Sequence, residues 1–296
     1  MRAYLELLRL PAVFTAMVDI VLGFHLTHAS FEPLPKFLGL LISSCCLYLS
    51  GMVFNDVFDV VQDASERPTR PIPSGRVARR SAAILGSVLM LLGVGSAWTV
   101  TALSGETALV LVAAILAYDG YLKRTLLGPI GMGLCRFLNL MLGASGGDFA
   151  TLADFWAMPQ VAVAAGLGTY IVGVTWFART EAKMSARTGL MGGLMIMDAG
   201  IAALAWLVAA NPRDGQQQAP LILLGVIAAS LNMRAMNAIT DPSPPQVQGL
   251  IKLFLLNYVT LSATLVYWQT GNPVLAFGTA CLVLPAMLIS RLIAMT

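Results

Sequence analysis

Three carboxylates and an amide lie close together in one short stretch of the chain, at Asn55, Asp56, Asp59 and Asp63. We call these four residues the acidic stripe, because on an α-helix turning about 100° per residue they share one face. Carboxylates at this spacing repel each other, and a divalent cation would relieve the repulsion. Oxygen donors favour Mg²⁺ or Mn²⁺, and Mg²⁺ commonly joins one or two carboxylates to substrate phosphates. We therefore predict a metal site on Asp56, Asp59 and Asp63, with Asn55 contacting the substrate.

A stiff basic loop follows the acidic stripe directly, with the sequence RPTRPIPSGR from Arg67 to Arg76. Proline fixes the backbone φ angle, and the glycine near the end allows the loop to turn. Guanidinium groups bind carboxylates and phosphates through paired hydrogen bonds. We predict that Arg67, Arg70 and Arg76 turn back toward the stripe, and that Arg67 and Arg70 bind anionic oxygens of a substrate.

Membrane-spanning helices must position these groups, because the composition excludes a water-soluble protein. Of 296 residues, 57% are hydrophobic and only 11% are charged, whereas soluble domains carry about 25% charged residues. Apolar runs of about 20 residues recur along the chain, and each can form one transmembrane helix. The runs are continuous rather than alternating, which excludes a membrane β-barrel.

The predicted fold is all-α, a polytopic transmembrane helical bundle that forms a single membrane domain over residues 1–296. The core covers about 9–270, and an extra C-terminal span covers about 273–293. The predicted spans are residues 10–28, 37–60, 81–103, 106–122, 126–146, 156–178, 189–210, 220–238, 248–270 and 273–293.

Basic residues lie almost entirely on one side of this predicted bundle. With the N-terminus on that side, only Lys36 and Arg213 fall on the opposite side, and Arg136 lies within the fifth span. The positive-inside rule then places both termini and the acidic stripe in the cytoplasm, as expected for a bacterial inner-membrane protein. This asymmetry also accounts for the net charge of +3, so we predict no nucleic-acid partner.

The acidic stripe and the loop after it resemble the first signature of the UbiA superfamily of intramembrane prenyltransferases. The resemblance rests on the pattern NDxxDxxxD followed by RPTRPIPSGR at the end of the second span. It implies a core of nine helices that binds a prenyl diphosphate through Mg²⁺ at the cytoplasmic end, so the tenth span is an addition. Weaker matches are Arg9-x-Pro11, Lys123-Arg124 and Arg136-x-x-Asn139-x-x-x-Gly143.

Two departures from the family pattern concern the chemistry. Asp119 stands where the family often has tyrosine, and it is either a local partner of Lys123 or a catalytic group. The second Asp-rich motif of the family is replaced after the sixth span by a segment with one acid, Glu181. The bases of that segment are Arg179, Lys183 and Arg187. Either these bases bind the diphosphate directly or the chemistry has changed, and the chain looks nearest to a divergent, EboC-like branch.

Three further ionisable groups, Arg136, Asp19 and Asp198, stand out inside predicted spans, where charges are costly. Arg136, one turn before Asn139, either reaches a phosphate or pairs with an acid. Asp19 and Asp198 are lone carboxylates in the first and seventh spans, and each either accepts a proton or pairs across the bundle.

The resemblance implies that a prenyl group passes from a prenyl diphosphate to a lipophilic acceptor within the membrane, among membrane lipids. Lys123, Arg136, Asn139, Arg179 and Lys183 are then predicted to bind substrate, in addition to the residues already named. Asp119 or Glu181 would remove the proton that the acceptor loses. Two alternatives stay open: cyclisation of the prenyl chain, as in UbiA-type terpene cyclases, and a membrane protein that binds a lipid diphosphate without catalysis.

Overall fold

A computed structural model describes residues 2–157, 159–181, 184–213 and 218–292 of the chain, and every regular element in these ranges is a helix. Eight helices are long and apolar enough to cross a membrane, which confirms the predicted all-helical membrane fold. The helices are α1 (Arg2–Leu8), α2 (Val13–Thr27), α3 (Leu34–Phe58), α4 (Val60–Glu66), α5 (Arg79–Trp98), α6 (Ala102–Gly120), α7 (Gly128–Ala144), α8 (Leu152–Phe155), α9 (Gln160–Ala178), α10 (Arg187–Ala210), α11 (Gln218–Thr240), α12 (Pro244–Thr270), α13 (Pro273–Ala280) and α14 (Val283–Leu292). Two short 3-10 turns cover Leu10–Ala12 and Leu122–Arg124.

Nine of the predicted spans correspond to helices of the bundle. The first begins earlier than predicted, because α1, the first 3-10 turn and α2 together form an apolar segment from Ala3 to Thr27. The fifth, α7, has only 17 residues and contains Arg136 and Asn139, yet it packs between α2 and α9 near the centre of the bundle. Its polar side chains are thus directed into protein, where they can find partners.

The predicted tenth span, residues 273–293, is interrupted within the described residues. The described residues form two shorter helices, α13 and α14, separated at Cys281 and Leu282. Pro285 has no backbone N–H to donate to the Cys281 carbonyl four residues earlier, so a continuous helix is disfavoured at this point. After the break, α14 packs against the 3-10 turn Leu10–Ala12 and against α2.

Glycines allow α9 and α10 to pack closely along much of their length. A Cβ atom placed on Gly173 would lie 2.5 Å from the Met197 backbone nitrogen and 2.6 Å from the Gly193 carbonyl oxygen. Small residues at such contacts are typical of membrane helices, whose association depends on close van der Waals packing. This contact fixes α9, which forms one wall of the cavity described below.

We predict that Gly173→Ala destabilises the protein by about 1–3 kcal/mol, because the added methyl group meets backbone atoms that cannot move aside. The matched control is Gly225→Ala in α11, where a Cβ atom would meet nothing within 4 Å. The difference in stability is measured as the midpoint of thermal unfolding in detergent. Size-exclusion chromatography of the heated samples monitors this unfolding. Equal midpoints for the two variants would contradict the close packing of α9 on α10.

Candidate active site

A cavity of about 350 Å³ lies between α3, α6, α7, α9 and α12. Its walls are largely apolar, with side chains such as Leu47, Leu111 and Ile171. Polar side chains, including Asn55 and Asp119, line the end at which α3 and α6 end and α7 begins. We call this end of the bundle the motif end. Apolar walls with a few polar groups at one end suit a ligand that has a hydrocarbon tail and a polar head.

The acidic stripe lies at the motif end, across a break between two helices. α3 ends at Phe58 and α4 begins at Val60, so Asp59 is the connecting residue. Backbone hydrogen bonds from Asp59 to Asn55 (3.0 Å) and from Asp63 to Asp59 (2.8 Å) keep a helical path through the break. The carboxylates therefore follow one another on successive turns, although a single uninterrupted helix does not carry them.

Arg70 joins two carboxylates of the stripe. Its Nη1 lies 2.7 Å from Asp63 Oδ2 and 3.5 Å from Asp56 Oδ1, and all three residues are at most 5% exposed. Arg9 binds the same Asp56 oxygen at 2.7 Å. Buried charges of this kind are tolerated only when they are paired, so each of these ions depends on the others.

The side chains of the other two arginines of the basic loop form no ion pair with the stripe. Arg76 binds Glu6 Oε2 at 2.6 Å and the Thr69 carbonyl oxygen at 2.6 Å. The side chain of Arg67 is exposed beside the stripe. Of the three arginines, only Arg70 lies against the acidic groups.

A second set of ion pairs is centred on Asp59 and Asp119. Lys123 Nζ lies 2.7 Å from Asp59 Oδ2 and 4.0 Å from Asp119 Oδ1, so the ammonium group is between the two carboxylates. Arg124 Nη2 also binds Asp59 Oδ1 at 3.3 Å. Asn55 Nδ2 donates to Asp119 Oδ1 at 3.0 Å. The 3-10 turn Leu122–Arg124, directly after α6, supplies both bases to this cluster.

Arg9 belongs to the site, although sequence reasoning placed it only in a weak motif match. Its side chain lines the cavity and binds Asp56. Its backbone has φ 45° and ψ 47°, a left-handed conformation that is costly for a residue with a side chain. Strained backbone of this kind concentrates at functional sites. The sequence signal was a basic residue followed by Pro11 immediately before the first apolar run.

A buried polar cluster lies farther from the motif end, along the same cavity. Asp19 Oδ2 accepts hydrogen bonds from Arg136 Nη1 (3.1 Å) and Asn139 Nδ2 (2.8 Å), and the Tyr258 hydroxyl donates to Asp19 Oδ1. The Arg136 guanidinium also lies 5.6 Å from the ring centre of Tyr48, within cation–π range. Arg136 thus pairs with an acid, and Asp19 pairs across the bundle. Asn139 and Arg136 still form part of the cavity wall.

The described groups of the segment that replaces the second Asp-rich motif lie away from the cavity wall. Among the described residues, neither Arg179 nor Glu181 lines the cavity. The Arg179 guanidinium stacks over the Trp176 ring at 5.4 Å, and Glu181 lies in the turn after α9. Lys183 lies outside the described residues. The cavity wall ends near this turn at Ala178.

The oxygen donors at the motif end are chemically suited to a magnesium ion. Within the described ranges, no three acidic, histidine or cysteine side chains converge as a metal cluster, and each carboxylate of the stripe contacts a basic side chain. The Lys123 ammonium, however, lies between Asp59 and Asp119, which shows that these oxygens can bind a cation. Carboxylate and amide oxygens are the ligands that Mg²⁺ prefers.

A model of the UbiA prenyltransferase family matches residues 16–246. This match covers more than half of the chain, and the chain therefore belongs to the UbiA prenyltransferase family, as the acidic stripe predicted.

The curated relatives include digeranylgeranylglyceryl phosphate synthases of archaea. The chain is 32% identical to the enzyme of Methanosarcina barkeri over 157 residues, which are 49% of this chain and 54% of the relative. It is 30% identical to that of Saccharolobus solfataricus over 162 residues, 53% of this chain and 55% of the relative. The chain thus spans about half the length of the curated relatives it matches.

Solved structures share the fold over nearly the whole chain. A structure of digeranylgeranylglyceryl phosphate synthase superposes on this chain with a TM-score of 0.67 at 17% sequence identity. The superposition covers 91% of this chain and 98% of the synthase chain. A UbiA homologue from Archaeoglobus fulgidus bound to GPP and Mg²⁺ gives a TM-score of 0.64 at 16% identity, over 94% of this chain and 99% of its own. These similarities establish the fold.

We predict that Asp19 and Arg136 stabilise the protein as a pair. Asp19→Asn and Arg136→Gln should each destabilise it by about 3 kcal/mol or more, because each leaves a buried charge without its partner. The loss of unfolding free energy in the double variant should be smaller than the sum of the losses in the two single variants. The difference, which is the coupling energy, should be about 1–3 kcal/mol. Thermal unfolding midpoints of the four proteins measure this coupling.

The exposed pair Lys36 and Asp148, 3.0 Å apart, provides the matched control. Water screens this pair, so Lys36→Gln and Asp148→Asn should show no measurable coupling. Losses of stability that simply add up when Asp19→Asn and Arg136→Gln are combined would contradict the pairing.

Proposed function

We propose that the protein is an intramembrane prenyltransferase, which transfers a prenyl group from a prenyl diphosphate to a lipophilic acceptor. The observation that carries this proposal is the cavity, which combines apolar walls with charged and polar groups at one end. A prenyl diphosphate has the same two parts, an apolar chain and an anionic head. Membership of the UbiA family supports the reaction type, and GPP is the ligand in the related Archaeoglobus fulgidus structure.

Charge balance at the motif end supports a requirement for a divalent cation. Four carboxylates contact four basic side chains, so the cluster has no net formal charge. A diphosphate would add negative charge to this neutral cluster, and a cation must enter with it to keep the balance. The acids are Asp56, Asp59, Asp63 and Asp119, and the bases are Arg9, Arg70, Lys123 and Arg124.

We propose that Asp59 is the principal magnesium ligand, assisted by Asn55, Asp56 and Asp63. Asp59 is more accessible than the other two carboxylates of the stripe, and its partner Arg124 has a side chain that is 54% exposed. Lys123 and Arg124 could therefore release Asp59 and bind the diphosphate, and Asp59 would then be available to hold the metal. Arg67, which is exposed in the basic loop, is also proposed to bind the diphosphate. Mn²⁺ accepts the same oxygen ligands, and we propose that it can substitute.

In this reaction the C–O bond to the diphosphate breaks and its electron pair leaves with the diphosphate. The prenyl carbon then bonds to the acceptor, which loses a proton. Magnesium supplies stabilisation of the negative charge on the leaving group, and Arg9 and Lys123 add their own positive charge to it. The apolar walls keep water away from the electron-deficient carbon.

Asp119 is the proposed proton acceptor. Its carboxylate lines the cavity and is held by a hydrogen bond from Asn55, whereas Glu181 lies outside the cavity wall. Arg136 and Asn139 are proposed to contact the substrate from the wall farther inside. Arg179, which lies outside the cavity wall, and Lys183 are proposed to attract the diphosphate.

The protein is an integral membrane protein, and we propose that its motif end faces the cytoplasm of a bacterium. The excess of basic residues at this end supports the orientation. Soluble prenyl diphosphate could then enter from the cytoplasm, while the acceptor enters from the bilayer. The assignment to an EboC-like branch stays a prediction.

One observation favours a second candidate function, a protein that binds a lipid diphosphate without turnover. Every carboxylate of the stripe already has a basic partner, and the described part of the second-motif segment contributes no side chain to the cavity wall. Such a protein would bind a prenyl diphosphate but release no pyrophosphate.

We predict that the purified protein releases pyrophosphate from prenyl diphosphates in the presence of Mg²⁺, and that EDTA abolishes the release. Asp59→Asn should lower the rate by about 100-fold or more, because the charge of the leaving group loses its stabilisation. The control is Glu66→Gln, an exposed acid at the same end of the bundle, which should retain the rate. An unchanged rate for Asp59→Asn would refute the metal assignment, and donor binding without release would favour the second candidate.

We further predict that Asp119→Asn and Glu181→Gln differ in their effect on product. With a radiolabelled donor and membrane lipid extract, Asp119→Asn should lower the yield of prenylated lipid by about 100-fold, since general-base catalysis contributes this much or more. Glu181→Gln should stay within about threefold of the parent protein. Thin-layer chromatography of the extracted lipids measures the yield. A larger loss for Glu181→Gln would assign the proton transfer to Glu181 instead.

A further inference from the structure

A second depression lies outside the bundle core, on the surface formed by α11 and α12 at the motif end. It is an open groove of about 510 Å³. Arg234 and Asn237 of α11 face Gln246 and Lys252 of α12 across it, and Leu253 forms part of its apolar floor. The groove shares no lining residue with the cavity of the active site.

Both cations of this groove lie about two helical turns inside the ends of their helices, so that their long side chains can reach the membrane surface. At 1.5 Å per residue, Arg234 is about 9 Å along the axis from the end of α11 at Thr240. By the same measure, Lys252 is about 12 Å from the start of α12 at Pro244. Their side chains are exposed, and on a membrane-spanning surface such exposure is to lipid.

The positive charge in the groove has no anionic partner within the described part of the chain. Arg136, the arginine inside the bundle, is paired with Asp19, whereas neither Arg234 nor Lys252 forms an ion pair. Long basic side chains can extend toward the membrane surface to reach water. Here, however, Arg234 and Lys252 line one concave surface from two neighbouring helices. This arrangement favours the binding of an anion between the two side chains.

The rest of the groove is complementary to the other parts of a phospholipid. A Cβ atom on Gly249 would meet nothing within 4 Å, so the absence of a side chain leaves open space on the exposed side of α12. Gln246 Nε2 donates to Asp241 Oδ2 at 2.6 Å, and within the described residues this acid forms no ion pair with either base of the groove. Leu253 continues the surface toward the bilayer centre, along the path of an acyl chain.

We propose that this groove binds an anionic glycerophospholipid of the surrounding leaflet. Arg234 and Lys252 bind the phosphate through charge-assisted hydrogen bonds, and Asn237 is placed to bind head-group hydroxyls. One acyl chain lies along Leu253. Basic pockets between membrane helices are known to select anionic lipids in this way. The site is separate from the proposed transfer reaction, and it does not depend on that reaction.

The test uses the full-length protein, purified in detergent and titrated with phosphatidylglycerol or phosphatidylcholine, with bound lipid counted by native mass spectrometry. The parent protein should retain phosphatidylglycerol in preference to phosphatidylcholine. Arg234→Gln combined with Lys252→Gln should weaken phosphatidylglycerol binding by at least about tenfold. Gly249→Leu should weaken it as well by filling the open space, without removing any charge.

The matched control combines Arg79→Gln with Arg80→Gln, which removes two exposed charges from the same end of the bundle outside the groove. This control should bind phosphatidylglycerol like the parent protein. An equal loss in the control would show general attraction to the basic surface and overturn the proposal. Displacement of the lipid by millimolar glycerol phosphate would also overturn it, in favour of a site for a soluble phosphate. All variants should keep their thermal midpoint in phosphatidylcholine, which excludes unfolding as the cause.

Discussion

Neutralisation of four carboxylates by four basic side chains is the constraint on which the motif end depends. Asp56 and Asp63, with Arg70 between them, are almost fully buried, and none of the three could remain charged there alone. The other half of the cluster, with Lys123 between Asp59 and Asp119, is more accessible. The buried half therefore holds the basic loop against α3 and α4, and the accessible half is free to exchange its partners for a ligand.

One acidic motif thus contains both almost fully buried ion pairs and more accessible ones. Arg9 connects the two, since it binds Asp56 and also lines the cavity. Its left-handed backbone is held in place by the short turn before α2. The backbone of the motif end is consequently held both by the buried ion pairs and by this turn.

The sequence predicted the membrane fold and the position of the acidic stripe well, because both depend on local patterns. Apolar runs of sufficient length specify helices whatever their neighbours, and the NDxxDxxxD spacing specifies one helical face. Tertiary partners could not be read in the same way: Asp19 meets Tyr258, 239 positions away, and no local pattern connects them. The break at Cys281 was missed because hydropathy outweighed Pro285, although proline inside an apolar run is a signal for interruption.

The contacts between early and late segments have a consequence for biosynthesis. The turn that orients Arg9 packs against α14, and Asp19 in α2 is bound by Tyr258 of α12. Helices inserted one after another during translation cannot complete these contacts until α12 and α14 have left the ribosome. Until then, the half-assembled bundle holds an aspartate without its full set of partners within the bilayer, a state that quality-control proteases can recognise.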